Sequence, residues 1–155
     1  MPAMKIKSER LLLYPASDCE MKQLVDDEQD SELKQAYSEM LEGCITNPES
    51  RIWFALWFIE LKSQPGEIVG EFSFKGLNAD GMVEIGYGLK DGYCGHGYMT
   101  EAVSRIARWA LTQTGVTRLE AEADPDNKPS RNVLLNAGFT MTGETGTEGM
   151  RFVYR

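Results

Sequence analysis

The sequence predicts an α+β (mixed α/β) fold: a central, mostly antiparallel twisted sheet of about six to seven strands flanked by about four helices. Three observations predict it. Between Arg51 and Leu89, three successive strand patterns are separated by turn signals, which makes an antiparallel meander. A helical repeat follows, with Met99, Ala102, Val103, Ile106, Ala107 and Ala110 at three-four spacing. Beyond it, alternating segments return on either side of a short helix.

Taken in order, Arg10 to Tyr14 reads as a first strand. Ser17 or Asp18 then caps a helix running to about Glu28, since a side-chain oxygen there accepts from an otherwise orphaned amide. Asp30 or Ser31 caps a second helix, from Glu32 to about Gly43, with Leu33, Ala36, Tyr37, Met40 and Leu41 at helical spacing. Pro48 closes that region. Arg51 to Lys62 is rich in aromatic and β-branched residues and reads as a strand, so Trp53, Phe54, Trp57 and Phe58 are expected in the core. The SQPGE turn leads to Ile68–Phe74, and Asn78-Ala79-Asp80-Gly81 turns into Met82–Leu89. The long helix ends at Gly115. Thr117–Ala123 is a strand, Pro129–Ala137 a short helix, and Phe139–Thr142 and Met150–Tyr154 are closing strands.

No repeat, low-complexity tract or linker interrupts residues 1–155, so one domain is expected over the whole length. No apolar run is long enough to cross a bilayer, and MPAMKIKSERLLL does not read as a secretory leader. Cys19, Cys44 and Cys94 are odd in number and unpaired in spacing, which points to a reducing compartment, the cytoplasm. The formal net charge of −8 disfavours nucleic acid; it would favour a cationic partner, but a solvated acidic surface is the simpler explanation. One histidine and three scattered cysteines lack metal-ligand spacing, so no metal is expected. His96 would have to serve any Ser-His-Asp triad, and no nucleophile elbow accompanies it.

Between the strand ending at Leu89 and the helix opening near Tyr98 lies KDGYCGHG. The first amides of a helix lack internal partners and carry partial positive charge. Glycines let another group approach them, and a phosphate is the usual guest. A plain tight turn is the alternative. A Walker A loop would need lysine and Ser/Thr where Tyr98 and Met99 stand. A dinucleotide fingerprint would need other glycine spacing and a parallel βαβ unit.

Two blocks carry a resemblance. Glu84-Ile85-Gly86-Tyr87-Gly88-Leu89 is followed by Gly95-His96-Gly97-Tyr98-Met99-Thr100-Glu101-Ala102, and Asn127-Lys128-Pro129-Ser130 by Gly138-Phe139. With the opening Ser8-Glu9-Arg10-Leu11-Leu12-Leu13, they resemble, in order, the GNAT acetyltransferases, in particular the RimJ/RimL-like branch. The resemblance implies the GNAT fold and acetyl-CoA as co-substrate. The implied cofactor-binding residues are Leu89, Cys94, Gly95, His96, Gly97, Tyr98, Met99, Thr100, Asn127 and Ser130. The amides near Gly95, Gly97 and Tyr98 would hold the pyrophosphate, and Asn127 would touch the pantetheine arm or shape its slot. Cys94 stands where the superfamily often has Arg or Gln, and Met99 replaces a small residue. Glu101 would oppose a phosphate, so its carboxylate is expected to point away.

An amine attacks a thioester only when neutral, so a base is useful. Glu84, Gly86 and Gly88 share one strand face, which suggests the floor of an open groove; a solvent-facing carboxylate is the alternative. The resemblance implies a base or water-positioning acid on this strand, and Glu84 is the expected catalytic residue. Glu71 and Glu122 are weaker candidates. The resemblance also implies a strand amide, Leu89 N–H, facing the oxyanion. Leu134 stands where many relatives carry a tyrosine, and Ser130 is the second catalytic candidate, as acid or CoA contact, with a helix cap as the alternative.

The expected function is transfer of acetyl from acetyl-CoA to a primary amine in a ternary complex, with a protein or peptide N-terminal amine as acceptor. The alternatives are a polyamine or aminoglycoside-like acceptor, or a non-catalytic acyl-CoA sensor. The expected state is monomer or homodimer.

Overall fold

The structure, a computed structural model, describes residues 4–155. Met1, Pro2 and Ala3, the start of the stretch read for a leader, lie outside the described residues. The strands are β1 (Ile6–Lys7), β2 (Leu11–Pro15), β3 (Leu56–Leu61), β4 (Ile68–Leu77), β5 (Met82–Leu89), β6 (Arg118–Ala123), β7 (Thr140–Thr145) and β8 (Met150–Tyr154). The helices are α1 (Asp18–Asp27), α2 (Ser31–Thr46), α3 (Tyr98–Leu111) and α4 (Lys128–Asn136). The eight strands form one sheet in the order β1-β2-β3-β4-β5-β6-β8-β7. The meander β3-β4-β5 is antiparallel as expected, and β5 and β6 are the parallel pair.

Local chemistry sets the helix starts. Ser17 and Glu20 form a reciprocal capping box on α1, and the Asp30 carboxylate accepts from Glu32 and Leu33 N–H on α2. The Asn78–Gly81 turn closes with Gly81 N–H donating to Asn78 O at 3.1 Å, and Met82 N–H donates to Asn78 Oδ1 at 2.9 Å.

The expected strand Arg51–Lys62 is corrected. Pro48, whose fixed φ suits a first helical position, opens a 3-10 turn over Pro48–Trp53, and the strand begins only at Leu56. Trp53 therefore reaches the core from the turn, where its ring meets Phe74 at 4.9 Å. The sheet has eight strands because the two-residue β1 adds to the expected seven; so short a strand leaves no periodicity to read.

Two apolar layers sandwich the sheet. On one side Trp57, Phe72, Phe74, Val83, Ile85, Leu119 and Phe152 pack with Met99, Val103 and Ile106 of α3 and Leu134 of α4. Each large side chain so buried stabilises by about 1.5–3 kcal/mol. On the other side Met21 of α1 and Tyr37 and Cys44 of α2 pack on Ala55 and Leu56. Alternation divides β5 between them: Val83 and Ile85 belong to the α3 side, and Glu84, Gly86 and Gly88 face the other way.

Candidate active site

The segment from Lys90 to Gly97 joins β5 to α3. Gly92, Gly95 and Gly97 adopt φ of 90°, 85° and 76°, values that L side chains rarely take. A Cβ on Gly92 or Gly95 would meet open space. Gly97 caps α3 without any side-chain hydrogen bond, whereas Ser17, Asp30 and Asn127 cap the other three α-helices. Among the described residues, the amides of Gly95, Gly97, Tyr98, Met99 and Thr100 have no protein acceptor. Bare amides at the positive end of a helix, reachable across glycine, fit a diphosphate.

Glu101 turns away from this cradle. Its carboxylate accepts from Ser8 Oγ, from Arg10 N at 2.8 Å and from Arg10 Nε at 2.7 Å. Arg10 Nη1 also donates to His96 O at 2.8 Å, so the residue just before β2 braces the loop from outside. Cys94 is an exposed free thiol, and the His96 ring stacks on Tyr98 at 5.3 Å. Met99 is only 4% exposed, so only its backbone can meet a ligand; the side chain expected among the cofactor contacts fills the core.

Beyond the loop, the sheet opens. β5 pairs with β6 only over Met82–Glu84, against Arg118–Glu120. The Lys90 amide donates to Val69 O at 2.8 Å on the β4 side, and Gly81 O accepts from Thr117 N at 2.8 Å on the β6 side. Backbone direction alternates, so Ile85, Tyr87 and Leu89 aim their amides toward β6, past the last paired residue.

The gap is bridged by a residue that sequence reasoning did not single out. Tyr87 Oη donates to Ser130 O at 3.0 Å and lies 3.1 Å from Ser130 Oγ. With the tyrosine proton committed to the carbonyl, the serine hydroxyl donates to the phenol oxygen. Burial raises the Tyr87 pKa, partly offset by Ser130. The available signal was a tyrosine of opposite parity to Glu84 in a strand rich in glycine. The helix cap at α4 is Asn127, not Ser130: Asn127 Oδ1 accepts from Ser130 N at 3.1 Å. That bond leaves Asn127 Nδ2 for a ligand. Leu134 is fully buried in the core.

Glu84 lies on the expected face with Gly86 and Gly88, but not in an open groove. Lys75 Nζ stands 2.9 Å from Glu84 Oε2, and Arg151 Nη2 donates to Oε1 at 2.8 Å. Burial alone would raise its pKa; Lys75 and Arg151 outweigh burial and lower it. Arg151 also grips Glu120 Oε1 and Glu122 Oε2, both at 2.6 Å. The cavity on this face sits farther along β5. It has a volume of about 280 Å³ and lies between α2 and the sheet, lined by Leu33, Met40, Glu71, Phe72, Gly86 and Gly88 among others. Glu71 and Gly88 are direct cross-strand partners.

Comparison with known proteins follows the same lines. Residues 10–140 match the Acetyltransferase (GNAT) domain family. The chain is 35% identical over 89 residues to the uncharacterized N-acetyltransferase YjdG of Bacillus subtilis (strain 168), covering 57% of this chain and 52% of that protein. It spans about half the length of the curated relatives it matches. In fold it is similar to a ribosomal-protein-S5-alanine acetyltransferase from Vibrio fischeri, with TM-score 0.76 and 15% identity over 97% of this chain and 96% of that one. It is also similar to RimL, a ribosomal L7/L12 alpha-N-protein acetyltransferase solved in complex with coenzyme A, with TM-score 0.75 and 16% identity over 97% of each chain.

Proposed function

The chain belongs to the GNAT acetyltransferase family, and on that premise we propose that it is an N-acetyltransferase moving acetyl from acetyl-CoA to a primary amine within a ternary complex. The uncapped α3 terminus, open across Gly95 beside the parting of β5 and β6, carries this reading. Acetyl-CoA, when bound, supplies an activated acetyl thioester.

The chain's own residues divide the work. The backbone from Cys94 through Gly95, His96, Gly97, Tyr98, Met99 and Thr100 holds the diphosphate. Asn127, whose Oδ1 is taken by the α4 cap, keeps its Nδ2 for the pantetheine arm. The Leu89 amide, directed into the gap, offers a hydrogen bond where negative charge gathers. Ser130 is the proposed acid for the departing sulfur, its hydroxyl turning from the Tyr87 phenol oxygen to the thiolate. Glu84 is the proposed base, acting through a chain of waters: Lys75 and Arg151 hold its carboxylate, and five strand rises, roughly 17 Å, lie between it and Leu89.

The acceptor in this reading is a protein or peptide α-amine. Two likenesses support it: the motifs of the RimJ/RimL-like branch, and the fold of structures named as ribosomal-protein acetyltransferases. The net charge of −8 favours a cationic acceptor. No helix among the described residues is long and apolar enough to cross a membrane. Three free cysteines support a reducing, cytoplasmic setting, and monomer or homodimer is the proposed state.

Calorimetric titration of acetyl-CoA, followed by free-thiol release with peptides and polyamines, tests the proposal. Wild type binds acetyl-CoA, and Gly95→Ala weakens binding at least tenfold, because a side chain at φ 85° strains the loop that presents the amides. Absence of binding sinks the reading. Binding without turnover of any amine moves the assignment to an acyl-CoA sensor.

A further inference from the structure

The apolar stripe of α2 does not all go into the core. Tyr37 is 7% exposed, while Leu33 is 39% exposed at the mouth of the cavity beneath the helix. Ala36, Met40 and Leu56 complete the apolar walls. The volume of about 280 Å³ sits at the lower end of small-ligand sites. Glu71 is the one charged residue among those lining it.

Three observations make that carboxylate a receiving group. Among the described residues, Glu71 has no ion-pair partner, whereas Glu84 on the same face has two. Glu71 stands directly across the ladder from Gly88, next to Leu89. The place where a Gly88 side chain would start is open space, so nothing separates the carboxylate from the β5 backbone at that point. Lys90 acts on Glu71 only from beyond ion-pair distance and Tyr37 through a neutral hydroxyl, so a cation arriving at this half-buried carboxylate stabilises it further.

We propose that Glu71 is the specificity-determining residue of the acceptor site: it receives the ammonium group of an amine carried on a small, apolar body. This rests on the acetyltransferase reading above and names its acceptor class. One carboxylate at the wall selects one positive charge, and the side chains of Leu33, Met40 and Leu56 select an aliphatic carrier, such as a chain end beginning with a small apolar residue. A polyamine would bring a second and third charge past apolar walls, where Glu28 is the one further carboxylate acting on Glu71. Tyr37 supports the site as a neutral phenol, its pKa pushed up to about 12 by burial and then by Glu71 and Glu28.

The test separates binding from turnover. Wild type and Glu71→Gln, each saturated with CoA, are titrated by NMR with n-pentylamine, 1-pentanol and spermidine. Wild type is expected to bind pentylamine at least tenfold more tightly than pentanol or spermidine. In Glu71→Gln the preference over pentanol disappears while CoA affinity stays within twofold. Gly88→Ala, which narrows the cavity without a clash, weakens pentylamine and pentanol alike. Equal binding of pentylamine and pentanol by wild type, a preference that survives Glu71→Gln, or tighter binding of spermidine each overturns the proposal. If pentylamine binds through Glu71 yet no amine is acetylated, the transferase reading falls and the Glu71 site stands. If acetylation proceeds with the same KM in both proteins, the reverse holds.

Discussion

Tyr87 and Ser130, 43 residues apart, meet through the phenol, which donates to the Ser130 carbonyl at 3.0 Å and lies 3.1 Å from its hydroxyl. The contact spans the place where β5 and β6 have stopped pairing, and joins the central strand to α4. It replaces, at one point, the backbone bonds that a closed sheet would have made.

Tyr87→Phe removes that link and leaves the packing ring in place. The loss of a part-buried hydrogen bond is worth about 1 kcal/mol. Chemical denaturation should show that loss, and kcat should fall about fivefold with acetyl-CoA affinity within twofold. Ser130→Ala added to Tyr87→Phe should cost less than the sum of the two, since the residues share one bond. Full additivity would show that they act independently.

Arg151 holds Glu84, Glu120 and Glu122 from three different places on β5 and β6. Arg151→Met should destabilise the protein by about 3 kcal/mol at pH 7, because three partly buried carboxylates lose their common cation. The pH dependence has a definite sign. Burial works to raise the pKa of Glu84 and of Glu120, but Lys75 and Arg151 at the first, and Arg151 and Arg118 at the second, bring both below the usual glutamate value of 4.5. Their stabilisation is present above that value and lost as pH falls through the lowered pKa values. Melting curves from pH 7 to pH 3 should therefore converge for wild type and Arg151→Met. A gap that stays constant with pH would contradict this.

Glu71→Gln should trade function for stability. Burial raises the Glu71 pKa above 4.5, Lys90 and Tyr37 pull it down, and Glu28 adds to the rise. With a raised pKa in the fold, the stability tied to its proton is full below 4.5 and is lost as pH rises through the folded value. At pH 7 wild type carries the cost of a buried carboxylate, and glutamine does not. The variant should melt higher than wild type at pH 7 and equal to it at pH 4. A lower melting temperature at pH 7 would show that Glu71 has a stabilising partner in the free protein.

Much of this was legible in the linear chain. Met82–Leu89 and Met150–Tyr154 have the boundaries that their alternation predicts, and α1 and α2 begin beside the expected caps Ser17 and Asp30. These features depend on neighbours within a few residues, where periodicity and side-chain capping act. The stretch Arg51–Ala55 misled because aromatic residues favour strands in general, while here Pro48 starts a turn and Trp53 finds its core contacts from it.

The sequence by itself determined that a glycine loop opens a helix at Gly97 and leaves bare amides there, since backbone conformation at glycine and helix termini are local matters. Long-range packing set which carboxylate lacks an ion-pair partner among the described residues. Glu84 and Glu71 are equivalent strand glutamates in the chain; Arg151, 67 residues away, engages one, and α2 roofs a cavity over the other. Those outcomes follow from sheet order and from where β5 and β6 diverge, which are set by packing between residues far apart in sequence.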